Sequence, residues 1–226
     1  MPAITVAVVI PTLNEEVTLR RYLPGVAQQA DEVVVSDAGS TDDTTGFAEQ
    51  AGALVVTGAR GRGPQMNLGG QMARSQVLLF LHADTRLPDG GIELVRRQAQ
   101  NGKIGGGFLA EFDDPRPVMQ LGSKLVNLRT RLTSLPLGDQ AQFVTRQAFQ
   151  ELGGFRDWPI LEDLDFMRRL KRLGPTSVIR QPVTTSARRY VQNGIIKTIA
   201  NNWWIWFLYF LGVSPEKLQR RYREVR

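Results

Sequence analysis

Four polar stretches interrupt the chain where apolar runs end, and each holds residue types that could do chemistry. "HAD" (82–84) closes the run "VLLFL". A hard divalent ion bridging a diphosphate needs only one or two protein carboxylates, with phosphate oxygens and water completing its shell, so Asp84 is a candidate metal and nucleotide ligand. His82, the chain's one histidine, lies two residues earlier and on the same face of a strand, where it serves either as a structural imidazole or as a ligand. In "LEDLDF", Glu162, Asp163 and Asp165 fall at a helix start. There the helix dipole favours acids, and a carboxylate could also take a proton from an attacking hydroxyl. Asp37, after "VVVS", could accept hydrogen bonds from a ribose or base edge or shape an Asx-turn; Asp42 and Asp43 suit a helix N-terminus. Arg60 and Arg62 in "GARGRGP", and Arg188 and Arg189 in "SARRY", could hold phosphate or simply be solvated.

These groups need a scaffold that brings them together. Residues 4–10 (ITVAVVI), 32–36, 53–57 and 77–81 are β-branched or fully apolar runs, the signature of strands buried on both faces. Between them lie helical patterns. Thr12 and Glu15 have capping-box spacing ahead of Leu19, Tyr22, Leu23 and Val26, a second helix runs from Ser40–Asp43 to about Ala51, and a third covers 65–74. Strand–helix alternation predicts an α/β fold with one mostly parallel sheet and helices on both faces. Ligands of such sheets bind at the strands' carboxyl ends, which carry "PTLNEE", "SDAGSTDD", "GARGRG" and "HADT". The first of these is not G-x-G-x-x-G, which argues against a hydride-transfer dinucleotide. Further on, 102–112 reads as a Gly-rich loop entering a strand and 118–133 as an amphipathic helix. "QAQFVTRQAFQELGGF" reads as a strand and short helix, and "EDLDFMRRLKRLG" as a helix closed by Gly174 and Pro175.

At 226 residues with 42% hydrophobic content, the chain can bury a core. It contains no cysteine, so disulfides and thiolate metal sites are excluded, which fits a cytoplasmic setting. Charge is uneven: residues 1–113 carry 9 basic and 13 acidic side chains (−4), and residues 114–226 carry 19 and 9 (+10). A basic half suits phosphate groups or anionic lipid. The aromatics form a block instead of alternating with basic residues, which disfavours nucleic acid. That block, "NNWWIWFLYFLGV" (201–213), is too short to span a bilayer. It reads either as a core or homodimer helix or as a peripheral membrane contact rich in interfacial tryptophan and tyrosine.

Taken in order, "VVIPTLNEE", "VVVSDAGSTDDT", "GRGPQMNLGGQMARSQVLLFLHADTRL" and "LGGFRDWPILEDLDF" resemble a family 2 glycosyltransferase of the GT-A fold over roughly residues 5–190. "HAD" and "SARRY" more narrowly resemble a bacterial subfamily with HAD in place of the D-x-D motif. The resemblance implies a GT-A domain over 1–190 with a helical extension over 191–226. It also implies inverting transfer from a nucleotide-diphosphate sugar to a hydroxyl acceptor, with Mn²⁺ or Mg²⁺. Carried over by position, Pro11, Asn14 and Glu15 match the first nucleotide-binding segment, and Asp37 the carboxylate that contacts base or ribose. Arg62, Gln65 and Asn67 match the segment supporting the nucleotide, Asp84 the last acid of D-x-D, and Asp163 the base, with Glu162 beside it. His82 stands where the first D-x-D acid would be; imidazole suits Mn²⁺ better than Mg²⁺. Two alternatives remain: a nucleotidyltransferase, which normally carries a Gly-rich basic signature after the first strand, and a non-catalytic nucleotide- or polyanion-binding module.

Overall fold

In the computed structural model, which describes residues 3–58 and 60–219, the first apolar run forms strand β1 (Val6–Thr12). Parallel β2 (Glu32–Asp37) and β4 (Val77–Phe80) flank it, and β3 (Leu54–Thr57) lies outside β2. β7 (Gln142–Thr145) runs antiparallel to β4 and pairs with β6 (Gly105–Phe112). β8 (Thr176–Thr185) lies parallel to β6, and the short β5 (Thr85–Arg86) closes the edge of one eight-stranded sheet. Both faces of β1 are buried. Val6, Val8 and Ile10 pack with Leu19, Leu23 and Ile92, while Ala7 and Val9 pack with Met66, Phe149 and Phe166. That is why the run lacks alternation. Pro11 is tolerated because β4 ends opposite Val9, so its missing N–H breaks no ladder bond on that side.

Helices α1 (Glu16–Ala27) and α4 (Gly91–Gln100) cover one face; α3 (Arg62–Met72), α6 (Arg146–Leu152) and α7 (Glu162–Leu173) cover the other. α2 (Thr44–Gln50) packs beside α1, and α5 (Pro117–Thr133) lies on β6. The expected Thr12–Glu15 capping box does not form. The Thr12 hydroxyl instead donates to Asp37 Oδ1, and the start of α1 is tied to the loop after β2: Glu15 N–H donates to Thr44 Oγ1 and Glu16 N–H to Asp42 Oδ2. Tertiary acceptors have replaced the local cap.

Beyond the sheet, α8 (Arg188–Asn193), α9 (Ile195–Phe210) and α10 (Pro215–Gln219) follow. α9 docks on α7, with Arg168 Nη1 donating to the Tyr209 hydroxyl at 3.0 Å and Ile205 buried against Ile160. Among the described residues, no helix is long and apolar enough to cross a membrane.

Candidate active site

β4 leaves β1 after Phe80. Leu81 N–H still donates to Val9 O, and a turn, Thr85 N–H to His82 O, then swings the chain to β5. Thr85 meets Thr185 hydroxyl to hydroxyl at 3.1 Å, so His82–Asp84 is pinned between the first and last parts of the sheet. The start of α7 reaches the same place through aromatic packing. Phe166, one turn beyond Asp163, stacks on Phe155 at 4.1 Å, and Phe155 meets Phe80 edge-on at 4.8 Å. Such ring pairs contribute about 0.5–1.5 kcal/mol each beyond area burial, and here they fix α7 against β4, the strand that leads into His82. Leu161, immediately before Glu162, holds φ +64°, a left-handed conformation costing about 1–2 kcal/mol for a side chain of this kind.

Between these elements lies a cavity of about 220 Å³. Asp84, Asp139, Glu162 and Asp163 supply its acids, and Arg62, Arg129 and His82 its basic groups. Gly122 and Val126 of α5, with Ile199, Trp203 and Trp206 of α9, supply apolar walls. Asp163 is held by two backbone donors: Gly138 N–H to Oδ2 at 2.6 Å and Leu164 N–H to Oδ1 at 2.7 Å. Gly138 is tightly packed against His82 and Asp163. A β-carbon there would stand 3.0 Å from His82 Nε2 and 3.1 Å from Asp163 Oδ2, so the imidazole and the carboxylate both approach this one residue.

The charged groups of the cavity act on one another, Arg62 on His82, Asp84 and Asp139 alike. Burial, then the Arg62 charge, drives the His82 pKa down to about 3, so the ring is neutral at ordinary pH. Burial, then Glu15, pushes the Asp84 carboxyl above its usual value, with Arg188 and Arg62 pulling the other way. Glu15 therefore acts on this end of the cavity. Burial also raises Asp139, opposed by Arg129 and reinforced by Asp163.

The other expected residues are placed as follows. Asp37 is 1% exposed and outside the cavity; its oxygens accept from the Thr12 and Ser40 hydroxyls and from Gly39 and Ser40 N–H. Its acceptor sites are thus committed to the end of β1 and to the loop after β2. Gln65 donates to Thr12 O and Ser36 O, and Asn67 binds Phe155 O and N–H. Both amides brace backbone instead of facing the cavity. Pro11 and Asn14 stand at the β1 end, where Asn14 Oδ1 accepts from Thr41 N–H. Asp165 pairs with Arg169 at 2.7 Å, inside the fold. Arg188 lies near Asp84, and the side chain of Arg189 lies outside the described set. Sequence reasoning did not single out Arg129 or Asp139; the only signal was the turn-forming "LGDQ".

Among the described residues no three His, Cys, Asp or Glu side chains converge as metal ligands. Asp84 with His82 suits an ion that takes its remaining ligands from a diphosphate. The elevated Asp84 carboxyl is the group that a cation would stabilise.

Residues 7–152 match the family model described as glycosyl transferase family 2. A stretch of 57 residues is 46% identical to glucosyl-3-phosphoglycerate synthase of Mycobacterium tuberculosis, covering 24% of this chain and 18% of that protein. Among solved structures, S. aureus TarS 1–349 superposes with TM-score 0.66 at 20% identity, over 81% of this chain and 61% of TarS. Glucosyl-3-phosphoglycerate synthase from M. tuberculosis, in complex with Mn²⁺, UDP and glucosyl-3-phosphoglycerate, gives 0.57 at 20% identity, over 80% and 70%. The mannosyltransferase PcManGT from Pyrobaculum calidifontis, with GDP-Man and Mn²⁺, gives 0.58 at 21%, over 80% and 56%. The chain thus spans less than a fifth of the synthase by sequence and about three fifths of TarS by structure. With its sheet ending in this acid-lined cavity and a family match across most of the chain, the protein belongs to glycosyl transferase family 2.

Proposed function

We propose that the chain is an inverting glycosyltransferase that moves a sugar from a nucleotide-diphosphate sugar to a hydroxyl acceptor. The observation that carries this is the placement of Asp84 and Asp163, 79 positions apart (163 − 84), on one cavity. Asp163 takes the acceptor's proton as the acceptor oxygen attacks the sugar C1. The C1–O bond to the diphosphate breaks, and its electron pair leaves on the diphosphate oxygen. Arg62, with Arg188 and Arg189 on the segment after β8, offsets the charge growing there. Glu162 stands beside the base, and the nucleoside lies along the loops shaped by Pro11, Asn14, Glu15 and Asp37, which Gln65 and Asn67 brace. Asp84, with His82, would hold a divalent ion of the kind bound in the Mn²⁺-containing relatives. Such an ion supplies Lewis-acid stabilisation of the leaving diphosphate. Thermal-shift screening of nucleotide sugars with Mn²⁺ and Mg²⁺, followed by product analysis, tests the proposal; no stabilisation by any nucleotide sugar and no cleavage would defeat it.

A peripheral, lipid-presented acceptor is a second reading, favoured by a specific surface. Leu121, Leu125, Leu128 and Leu132 run exposed along α5, and Trp203, Trp204, Phe207 and Phe210 are exposed on α9. The two helices touch where Gly122 faces Ile199, so the ridges bracket the cavity's apolar wall. Lys124, Arg131 and Lys197 are exposed on the same helices, which suits an anionic leaflet. Flotation with anionic vesicles decides it. No binding removes the lipid surface, and sedimentation as a dimer would assign the ridges to a second copy.

A further inference from the structure

Helix α5 is built the unexpected way round. Its leucines at 121, 125, 128 and 132 face outward. Arg129 faces inward and lines the cavity beside Val126. Its Nη2 donates to Gln140 Oε1 at 2.9 Å and to Thr130 Oγ1 at 3.1 Å, both neutral acceptors. Its Nε is buried with no acceptor in reach. Among the described residues, no carboxylate lies within ion-pair distance of it. A half-buried guanidinium whose direct hydrogen-bond partners are all neutral, with Asp139 and Asp163 acting on it only from beyond ion-pair distance, is unfavourable, and it stays charged. An oxyanion entering the cavity would relieve this, because a guanidinium fork matches phosphate and carboxylate geometry.

The position of Arg129 says which substrate carries that oxyanion. Arg62 and Arg188 act on Asp84, at the end assigned to the donor diphosphate. Arg129 acts on Asp139, Asp163 and Tyr190, around the carboxylate assigned as base; of these, Arg62 also reaches Asp139. Gln140 fixes the guanidinium there: its Oε1 also accepts from Leu137 N–H, and its Nε2 donates to Phe108 O. We propose that Arg129 is the anion-reading residue of the acceptor site, taking a compact oxyanion, a phosphate monoester or carboxylate, carried on the hydroxyl acceptor near the attacking oxygen. This rests on the transferase reading above. It makes the acceptor an anionic alcohol.

The test uses the full chain as wild type, R129Q and R129K, with sn-glycerol 3-phosphate as probe and glycerol as its uncharged control. Binding is measured by saturation-transfer NMR, UDP and GDP affinity by calorimetry with Mn²⁺, and initial transfer rates with whichever donor the screen selects. Wild type should bind and use glycerol 3-phosphate in preference to glycerol. R129Q should weaken binding of the probe by about 10–100-fold, as expected on losing charge-assisted hydrogen bonds, with nucleotide affinity within about twofold. R129K, which keeps the charge but not the fork, should fall between, and it decides the matter if R129Q does not fold. Unchanged probe binding in the variants, or equal use of glycerol and glycerol 3-phosphate by wild type, overturns the proposal. So does loss of nucleotide affinity in parallel with the probe, which would place Arg129 on the donor. If wild type cleaves no nucleotide sugar, the transferase reading falls while the binding arm still decides Arg129. If it cleaves the donor and R129Q binds the probe normally, only the subsite falls. Lysophosphatidic acid in phosphatidylcholine vesicles distinguishes a bilayer-borne acceptor from a soluble one, and an Arg129-dependent rate with either supports the subsite.

Discussion

Replacing Asp163 by asparagine is the most informative single change, because the surroundings make it unlike the usual isosteric substitution. The two oxygens of Asp163 each accept a backbone N–H, from Gly138 at 2.6 Å and from Leu164 at 2.7 Å. An asparagine has one oxygen, so its amide nitrogen must point at the other donor. One partly buried N–H then loses its acceptor, which costs about 1–3 kcal/mol, and the surviving bond loses its charge assistance. For a chain of 226 residues, each kcal/mol lowers Tm by about 2–4 °C, so D163N should melt several degrees below wild type. Transfer should fall by about 10²–10⁴, the range for loss of a general base. Nucleotide affinity should stay within about twofold, because the role assigned to Asp163 is on the acceptor's proton and not on the nucleotide. The assays are differential scanning calorimetry, calorimetric titration with UDP or GDP, and initial rates with the donor chosen by screening. Wild-type turnover would refute the base assignment; wild-type Tm would refute the two-donor geometry, whatever the rate.

Asp84→Ala should weaken metal-dependent nucleotide binding by about tenfold or more, as expected for a metal ligand or one of its orienting partners; unchanged calorimetric affinity with Mn²⁺ present would count against its role. Gly138→Ala should displace His82 and Asp163 by a few tenths of an ångström and lower kcat about tenfold, since a 1 Å misplacement can cost about 10²-fold; an unchanged kcat would show that the site tolerates the shift. His82 makes stability acid-sensitive. Its folded pKa of about 3 lies below the unfolded value near 6.5, so its contribution is present above about pH 6.5. As pH falls toward 3, it is lost at up to about 1.4 kcal/mol per pH unit. Asp84 and Asp139, with raised values, act in the opposite sense. Urea melts without metal between pH 7 and pH 4.5 should therefore be less pH-dependent in H82Q than in wild type, and equal slopes would contradict the buried neutral ring. Phe166→Ala should destabilise by about 3–5 kcal/mol and lower transfer beyond the loss of folded protein; full specific activity in the folded fraction would show that the aromatic stack does not position Asp163.

Much of the fold was legible because its determinants are local. The runs at 4–10, 32–36 and 77–81 are apolar on both faces, and only a strand covered on both sides uses them. Polar residues at their ends marked one edge of the sheet before any contact was known, and both Asp84 and Asp163 proved to line a single cavity. Asp37 was harder to read. Its type and position suit either a ligand or a loop brace, and four hydrogen-bond donors contributed by Thr12, Gly39 and Ser40 show what its oxygens contact. Gln65 and Asn67 were similar, because an amide near a site is as useful to backbone carbonyls as to a nucleotide.

By itself the sequence determined most strands, though not β5 or β8, most helices and the acids at the strand ends, since backbone propensity and hydrophobic period act over a few neighbouring residues. Only the tertiary structure decided the orientation of α5. Its periodicity shows two faces but not which one turns inward, and burying the leucines would have been the natural expectation. The packing of Gly122 against Ile199 and the hydrogen bonds from Arg129 to Thr130 and Gln140 set the helix with its cation inside. The same holds for Gly138, packed against His82 and Asp163 although distant from both in sequence, because that meeting depends on how three separate elements close around one cavity.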